Sequence, residues 1–195
     1  NTSKQTLLMA VCVTTLPSAN ADDCTLNLHF GRIDAILYTR AESTDALTDV
    51  GDAAEWATRI SNTTSLTASG TPAPIRYLYC IGEWPLPERT EVEVSGGRIS
   101  NTVPKHTLTL DVDDTGSVNA ALLAAEQLTT KRRKVWLLCN GQIHGGNDGY
   151  EMDMTFLGRL IGRTRTETQK IQVQLKYEGA QTAPITSVVQ ILTPA

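Results

Sequence analysis

A chain of 195 residues can bury one good core, and its length favours a single domain over two. Hydrophobic residues make up 41% and charged residues 19%, a globular rather than a disordered composition. The formal net charge of -4, with a pI near 5.4, argues against a general affinity for nucleic acid, which needs clustered Lys and Arg. The four cysteines, Cys12, Cys24, Cys80 and Cys139, contain no CxxC pair, which excludes a zinc ribbon and a thioredoxin-type site.

The first 24 residues carry Lys4, an apolar run over 7–13, and Ala19-Asn20-Ala21, an imitation of a secretory signal. The run is too short to span a membrane. The expectation is an extended N-terminal arm whose Leu7, Leu8, Met9, Val11 and Val13 need a covering surface, from this chain or a neighbouring copy. Cys12 and Cys24 bracket a loop that a disulfide could close, but free thiols, as in a protein made in a reducing cytoplasm, are the favoured reading.

Leu26, Leu28 and Phe30 alternate, Gly31 breaks the run, and 33–39 reads as a second strand. A polar connection over 41–50 leads to Asp52, the expected cap of a short helix with Ala53, Trp56, Ala57 and Ile60 on one face and Glu55 three residues after the cap. Trp56 is the expected core anchor. Residues 62–74 read as an exposed loop, and 41–74 together as an outer insertion. The Asn62-Thr63-Thr64 triplet is a glycosylation acceptor only in a secreted setting.

Ile75, Tyr77, Tyr79 and Ile81 predict a strand that ends before Pro85 and Pro87. Segments 91–95 and 99–103 flank Gly96-Gly97, a two-residue hairpin signal. Leu108, Leu110 and Val112 alternate with Thr and Asp, and after the turn residues 113–117 the spacing of Val118, Ala121, Leu122, Ala125 and Leu128 predicts an amphipathic helix. Lys131, Arg132, Arg133 and Lys134 are read as its solvated C-terminal end. Strands follow over 134–142 and 150–157, separated by a glycine-rich loop, 143–149, expected to protrude. Residues 158–165 continue or bend the second of these. Ile171, Val173, Leu175 and Tyr177 predict another strand, and 185–192 a last one. The fold class is mainly β (α+β): an antiparallel β-sandwich or barrel, with one helix packed on the sheet and a second short helix. The scarcity of aromatic residues, 5%, leaves β-branched side chains to stabilise the sheets.

Chemical signatures fail one at a time. Asp111, Asp113 and Gly116 resemble the start of a calcium loop, but Thr115 and Leu122 stand where acidic ligands belong, so these are turn and cap residues. His29, His106 and His144 show no metal-binding spacing. His144, with Asp148, Glu151 and Asp153, is the best acid and base group, yet it sits at a loop tip suited to surface contact rather than catalysis. Asp45, Asp49, Asp52 and Glu55 are spaced as a capped helix start, and neither a GxSxG elbow nor a phosphate loop occurs. No catalytic, cofactor-binding or metal-binding residue is expected, and the chain is not read as an enzyme.

From Glu91 to Tyr177 a Gly-Gly hairpin, a Thr-rich strand, an amphipathic helix, a long-looped hairpin and an alternating strand follow one another. This order resembles a tail tube-like virion structural protein of a tailed bacteriophage. So does FGRIDAILYTR after two cysteines about a dozen residues apart. The resemblance implies a β-sandwich or barrel that joins copies of itself into rings, usually sixfold, stacked into a hollow tube. It also implies other virion proteins as partners, transient non-specific passage of DNA, no membrane, and assembly in a bacterial host cytoplasm. Expected contacts are the arm (Leu7, Leu8, Met9, Val11, Val13) and the loop (Ile143, His144, Asn147, Asp148), with Glu91 and Glu93, or Gln172, Gln174 and Lys176, as candidates for the lumen. The region 41–74 exceeds what a minimal tube subunit requires. It fits a capsid decoration or other head protein equally well, and the signal-like N-terminus fits a secreted β-sandwich adhesin.

Overall fold

The computed structural model describes residues 32–66, 71–88, 91–113, 130–139, 142–160 and 169–179. In chain order the elements are β1 (Ile33–Arg40), α1 (Ala53–Ser61), β2 (Arg76–Gly82), β3 (Glu91–Val94), β4 (Arg98–Asn101), β5 (Lys105–Asp113), β6 (Lys131–Cys139), β7 (Gln142–His144), β8 (Tyr150–Leu160) and β9 (Lys170–Glu178). The arm, the helix expected over 118–128 and the strands expected over 26–30 and 185–192 lie outside the described residues.

Six strands close on themselves in the order β1-β2-β5-β9-β8-β6, with β6 returning to β1, and every pairing is antiparallel. Of the two architectures expected, this is the barrel. The alternation read from sequence fills it: Leu108, Leu110 and Val112 from β5, Ile171, Val173 and Leu175 from β9, and Met152, Met154 and Phe156 from β8 share one core with Ile36, Leu78, Val135 and Leu137. Such an interior is packed rather than hollow. The strands alternate inward and outward about one axis, so the barrel has two distinct ends. Arg40, Arg76 and Lys131 stand at one, where β1 ends and β2 and β6 begin. Gly82, Lys105 and Glu178 stand at the other, where β2 and β9 end and β5 begins.

The closing seam is buried on both faces, which its sequence shows as near-continuous apolar runs in β1 and at Val135, Trp136 and Leu137. Outside it, Leu37, Leu47, Val50, Trp56, Ile75, Trp136 and Ile143 form a second core, roofed by α1. Trp56, the expected anchor, is fully buried; it meets Trp136 edge-on with ring centroids 5.4 Å apart, and its Nε1 donates to the Val50 carbonyl at 2.8 Å. Asp52 caps α1 by accepting from the Ala54 amide at 2.8 Å. Arg59, on the same buried face, donates to Asp45 and Glu55 and so ties the connection before the helix to the helix itself.

Three local expectations are corrected. Lys131 to Lys134 belong to β6 rather than to a helix end: pairing with β1 on one edge and β8 on the other overrides the solvated-end reading of a charged run. The hairpin turn contains Ser95, Gly96 and Gly97, three residues rather than two, with both glycines at positive φ. The loop 143–149 does not protrude but folds down onto the second core, because Ile143 pairs in β7 and is buried there.

Candidate functional site

The barrel interior is filled, and no group of His, Cys, Asp or Glu among the described residues could hold a metal ion. Among the described residues, the polar and aromatic clusters are on the surface and at the two barrel ends.

The glycine-rich loop is a clasp around an indole. Gly145 and Gly149 have positive φ, and a Cβ on either would press into the Trp136 ring, at 2.8 Å from Cδ1 and 2.9 Å from Cε2 respectively. Trp136 Nε1 donates to the Gly146 carbonyl at 2.8 Å. Asn147 fastens the tip: its Oδ1 accepts from the Val50 amide at 3.1 Å and its carbonyl from the Leu47 amide at 3.0 Å. Of the four loop residues expected as contacts, Ile143 is therefore removed from the surface, His144 is half-buried, and only Asn147 and Asp148 are exposed. The five arm residues lie outside the described residues. The acid and base grouping does not gather at one place. The His144 ring lies tilted beside Trp84 with centroids 6.5 Å apart, whereas Glu151 and Asp153 line an outward cleft with Arg132, Lys105, Lys176 and Glu178.

At one barrel end, Trp84, His106, Tyr150 and Tyr177 pack ring against ring, with Trp84 centred 5.1 Å from Tyr150 and 5.3 Å from His106. The indole N–H can only donate, so its 2.7 Å bond makes Nδ1 of His106 the acceptor and puts the ring proton on Nε2. Burial, and then Tyr150, push the Tyr177 hydroxyl above the usual phenol range. These groups form a plug. The two described thiols are equally unsuited to attack: burial, foremost, pushes Cys80 up to about 12 and Cys139 up to about 11, far from a thiolate at neutral pH.

From that same end hangs the β3–β4 hairpin. Among the described residues it is a two-stranded sheet of its own, and the bridge between Glu88 and Lys105 ties its base to the barrel. Val92 and Ile99 are 45% and 68% exposed, and Glu91, Glu93, Arg98 and Ser100 are exposed as well. At the opposite end a cleft of about 440 Å³ is lined by Arg40, Glu42, Leu66, Lys131, Arg132 and Arg133. Among the described residues it brings Arg40, Lys131, Arg132 and Arg133 near Glu42. The sequence hides it because Arg40 is far from the basic run and meets it only through the register that places Arg40 opposite Arg133.

No protein-family model matches this chain, and neither does any curated protein or solved structure.

Proposed function

We propose that this chain is a self-assembling structural subunit of the tail tube kind, whose copies join into rings, usually of six, and stack into a hollow tube through which DNA passes. The β3–β4 hairpin carries this reading. An isolated two-stranded hairpin is marginally stable in water, and one that holds Val92 and Ile99 out in solvent from the end of a closed barrel would gain a covering surface from another molecule. Closure adds a constraint. Among the described residues, each barrel strand has a neighbour on both sides, β2 meeting β5 only at Ile81 and Gly82, so sheet contacts between copies fall to the hairpin, the outer edge of β7 and the open part of β2. The acidic net charge suits a channel past which DNA slides rather than adheres.

The test is sedimentation velocity over rising concentration, followed by negative-stain imaging. Rings or tubes of uniform width are expected, and replacing 91–101 with a short Gly-Ser link should abolish them while the barrel keeps its β circular dichroism. A chain that stays monomeric at high concentration counts against the proposal. If that monomer coats preformed capsids, a decoration role replaces it.

A further inference from the structure

Exposed apolar side chains gather at two places on the described surface. On β2 the outward row is Tyr77, Tyr79 and Ile81, 42%, 49% and 47% exposed, and the two tyrosine rings meet edge-on with centroids 5.5 Å apart. A chain with 5% aromatic residues leaves two of them in solvent here, and tyrosine is a residue type that interfaces enrich. The backbone beside this row is open as well. β2 is laddered to β1, but it meets β5 at Ile81 and Gly82, and from Arg76 to Cys80 the β5-side edge has no strand beside it among the described residues. Exposed edges are ordinarily blunted with charged residues or Pro; the outward side chains here are Tyr, Tyr and Ile. The second place is the β3–β4 hairpin, whose exposed Val92 and Ile99 are joined near its base by exposed Leu86 and Val103. Each hairpin strand also has one free edge among the described residues.

We infer that the open part of β2 is a strand-docking edge whose occupant is the β3–β4 hairpin of a second copy of this chain, added edge to edge. Val92 and Ile99 lie on opposite faces of the hairpin, so either of its edges brings one of them into the row of Tyr77 and Tyr79, where aromatic and β-branched side chains pair well. The molecule's own hairpin stops short of that row. Its base is tied to Lys105 by the Glu88 bridge, and the register that sets Ile81 opposite Asp111 puts Tyr79 and Tyr77 about 27–34 Å further along the barrel by strand rise. Laid back against its own barrel, β3 and β4 would end about 20–24 Å from that base. A symmetric pairing of β2 with β2 would cover the tyrosines and leave both hairpins in solvent, whereas a hairpin on β2 covers both apolar surfaces in one contact. Because the two surfaces differ, the contact is heterologous and passes from copy to copy. The inference rests on the assembly reading above and names the surfaces that join neighbours.

The experiment pairs two variants of the full chain, Tyr77→Lys with Tyr79→Lys for the docking edge and Val92→Lys with Ile99→Lys for the hairpin. All of these side chains are exposed, and unchanged circular dichroism and urea midpoints check that each barrel is intact. Each variant alone should raise the concentration for half-assembly by about tenfold or more, the loss of about one interface hot spot. Mixed in equal amounts above the wild-type half-assembly concentration, they should give a heterodimer and nothing longer. The sound hairpin of one fits the sound edge of the other, and neither remaining surface can continue the chain of contacts. Sedimentation with one variant fluorescently labelled reads this. Should the double tyrosine variant not fold, Tyr79→Lys alone takes its place. Wild-type chain that stays monomeric overturns both the assembly reading and this contact. Wild type that assembles, with a tyrosine variant that assembles equally well or a mixture that forms no heterodimer, overturns this contact alone. A hairpin variant that still assembles while the tyrosine variant does not overturns it in favour of β2-to-β2 pairing.

Discussion

Replacing Arg59 with Ala should unfasten the outer layer from the barrel, and the structure sets the size of the effect. The Arg59 side chain is 5% exposed. Its Nη1 donates to the Asp45 carbonyl and to Asp45 Oδ2, both at 3.0 Å; its Nη2 donates to Glu55 Oε1 at 2.8 Å and to the Ala46 carbonyl at 2.9 Å. Asp45 in turn accepts from the Ala73 amide at 2.6 Å, and the Arg59 carbonyl accepts from the Ile75 amide at 3.1 Å. One side chain thus holds three segments on the second core. Removing one member of a buried ion pair costs roughly 3–5 kcal/mol. Asp45 and Glu55 keep 24% and 18% of their side-chain surface in water, so rehydration offsets part of this; a loss of about 2–4 kcal/mol is the expectation. Lys at the same position should restore less than half, because one ammonium cannot serve two carboxylates and two carbonyls in a planar fork. Urea unfolding followed by tryptophan fluorescence reads this directly, since Trp56 lies on the same helix face. A loss below about 1 kcal/mol, small against the buried-pair range, would show that the network is ornamental.

Two further predictions follow from packing and burial. Gly149→Ala should destabilise by about 1–3 kcal/mol, because the new Cβ must occupy both a left-handed backbone position and the space of the Trp136 ring; an unchanged thermal midpoint would contradict the clasp. Cys80 and Cys139 should be inert to a thiol reagent at pH 8 until the chain unfolds. Their folded-state values are raised, so from about pH 9 the unfolded chain releases protons that the folded chain keeps up to about 11 or 12. The folded state then binds more protons, and stability falls as pH rises through that window, by at most about 1.4 kcal/mol per pH unit from Cys80. A double Cys→Ala variant with the same alkaline slope would refute this.

Glu55 provides the acid-side counterpart. Burial would raise its carboxyl, but bonds from Arg59 and from the Thr48 and Asp49 amides outweigh it and hold the group below its usual range. Stability from this group is present above the ordinary carboxylate range and is lost as pH falls through the depressed value. Thermal midpoints of wild type and Glu55→Gln should therefore converge as pH drops below about 4, the unperturbed Glu range. Parallel curves would exclude the linkage.

Local pattern was legible where one strand or one helix decided its own side chains. The two-residue period of β5 and β9, the capped helix at Trp56 and the Gly-Gly turn were all readable, because each depends on backbone preference and a single dry face. What escaped were features made by pairing over long sequence distances. Closure of β1 on β6 brings residue 40 to residue 133, turns a charged run into a strand and creates the cleft. The clasp escaped for the same reason: glycines that permit a mobile loop also permit a close wrap, and only Trp136 beneath them decides which.

A packed and closed barrel also narrows where function can reside. Its interior holds Leu, Ile, Val and Met rather than a ligand-sized space, its described thiols are protonated, and its histidine with a fixed tautomer serves an aromatic plug. The side that carries α1 is occupied by the second core and the clasp. Among the described residues, one end extends a hairpin with exposed Glu91, Val92, Glu93 and Ile99 into solvent, and the other carries a cleft lined by Arg40, Glu42, Leu66, Lys131, Arg132 and Arg133. Exposed apolar residues such as Val92 and Ile99 invite association. With the interior filled by side chains, the proposed assembly has to use the outer surfaces of the barrel, and the exposed Val92 and Ile99 of the hairpin are the apolar part of those surfaces.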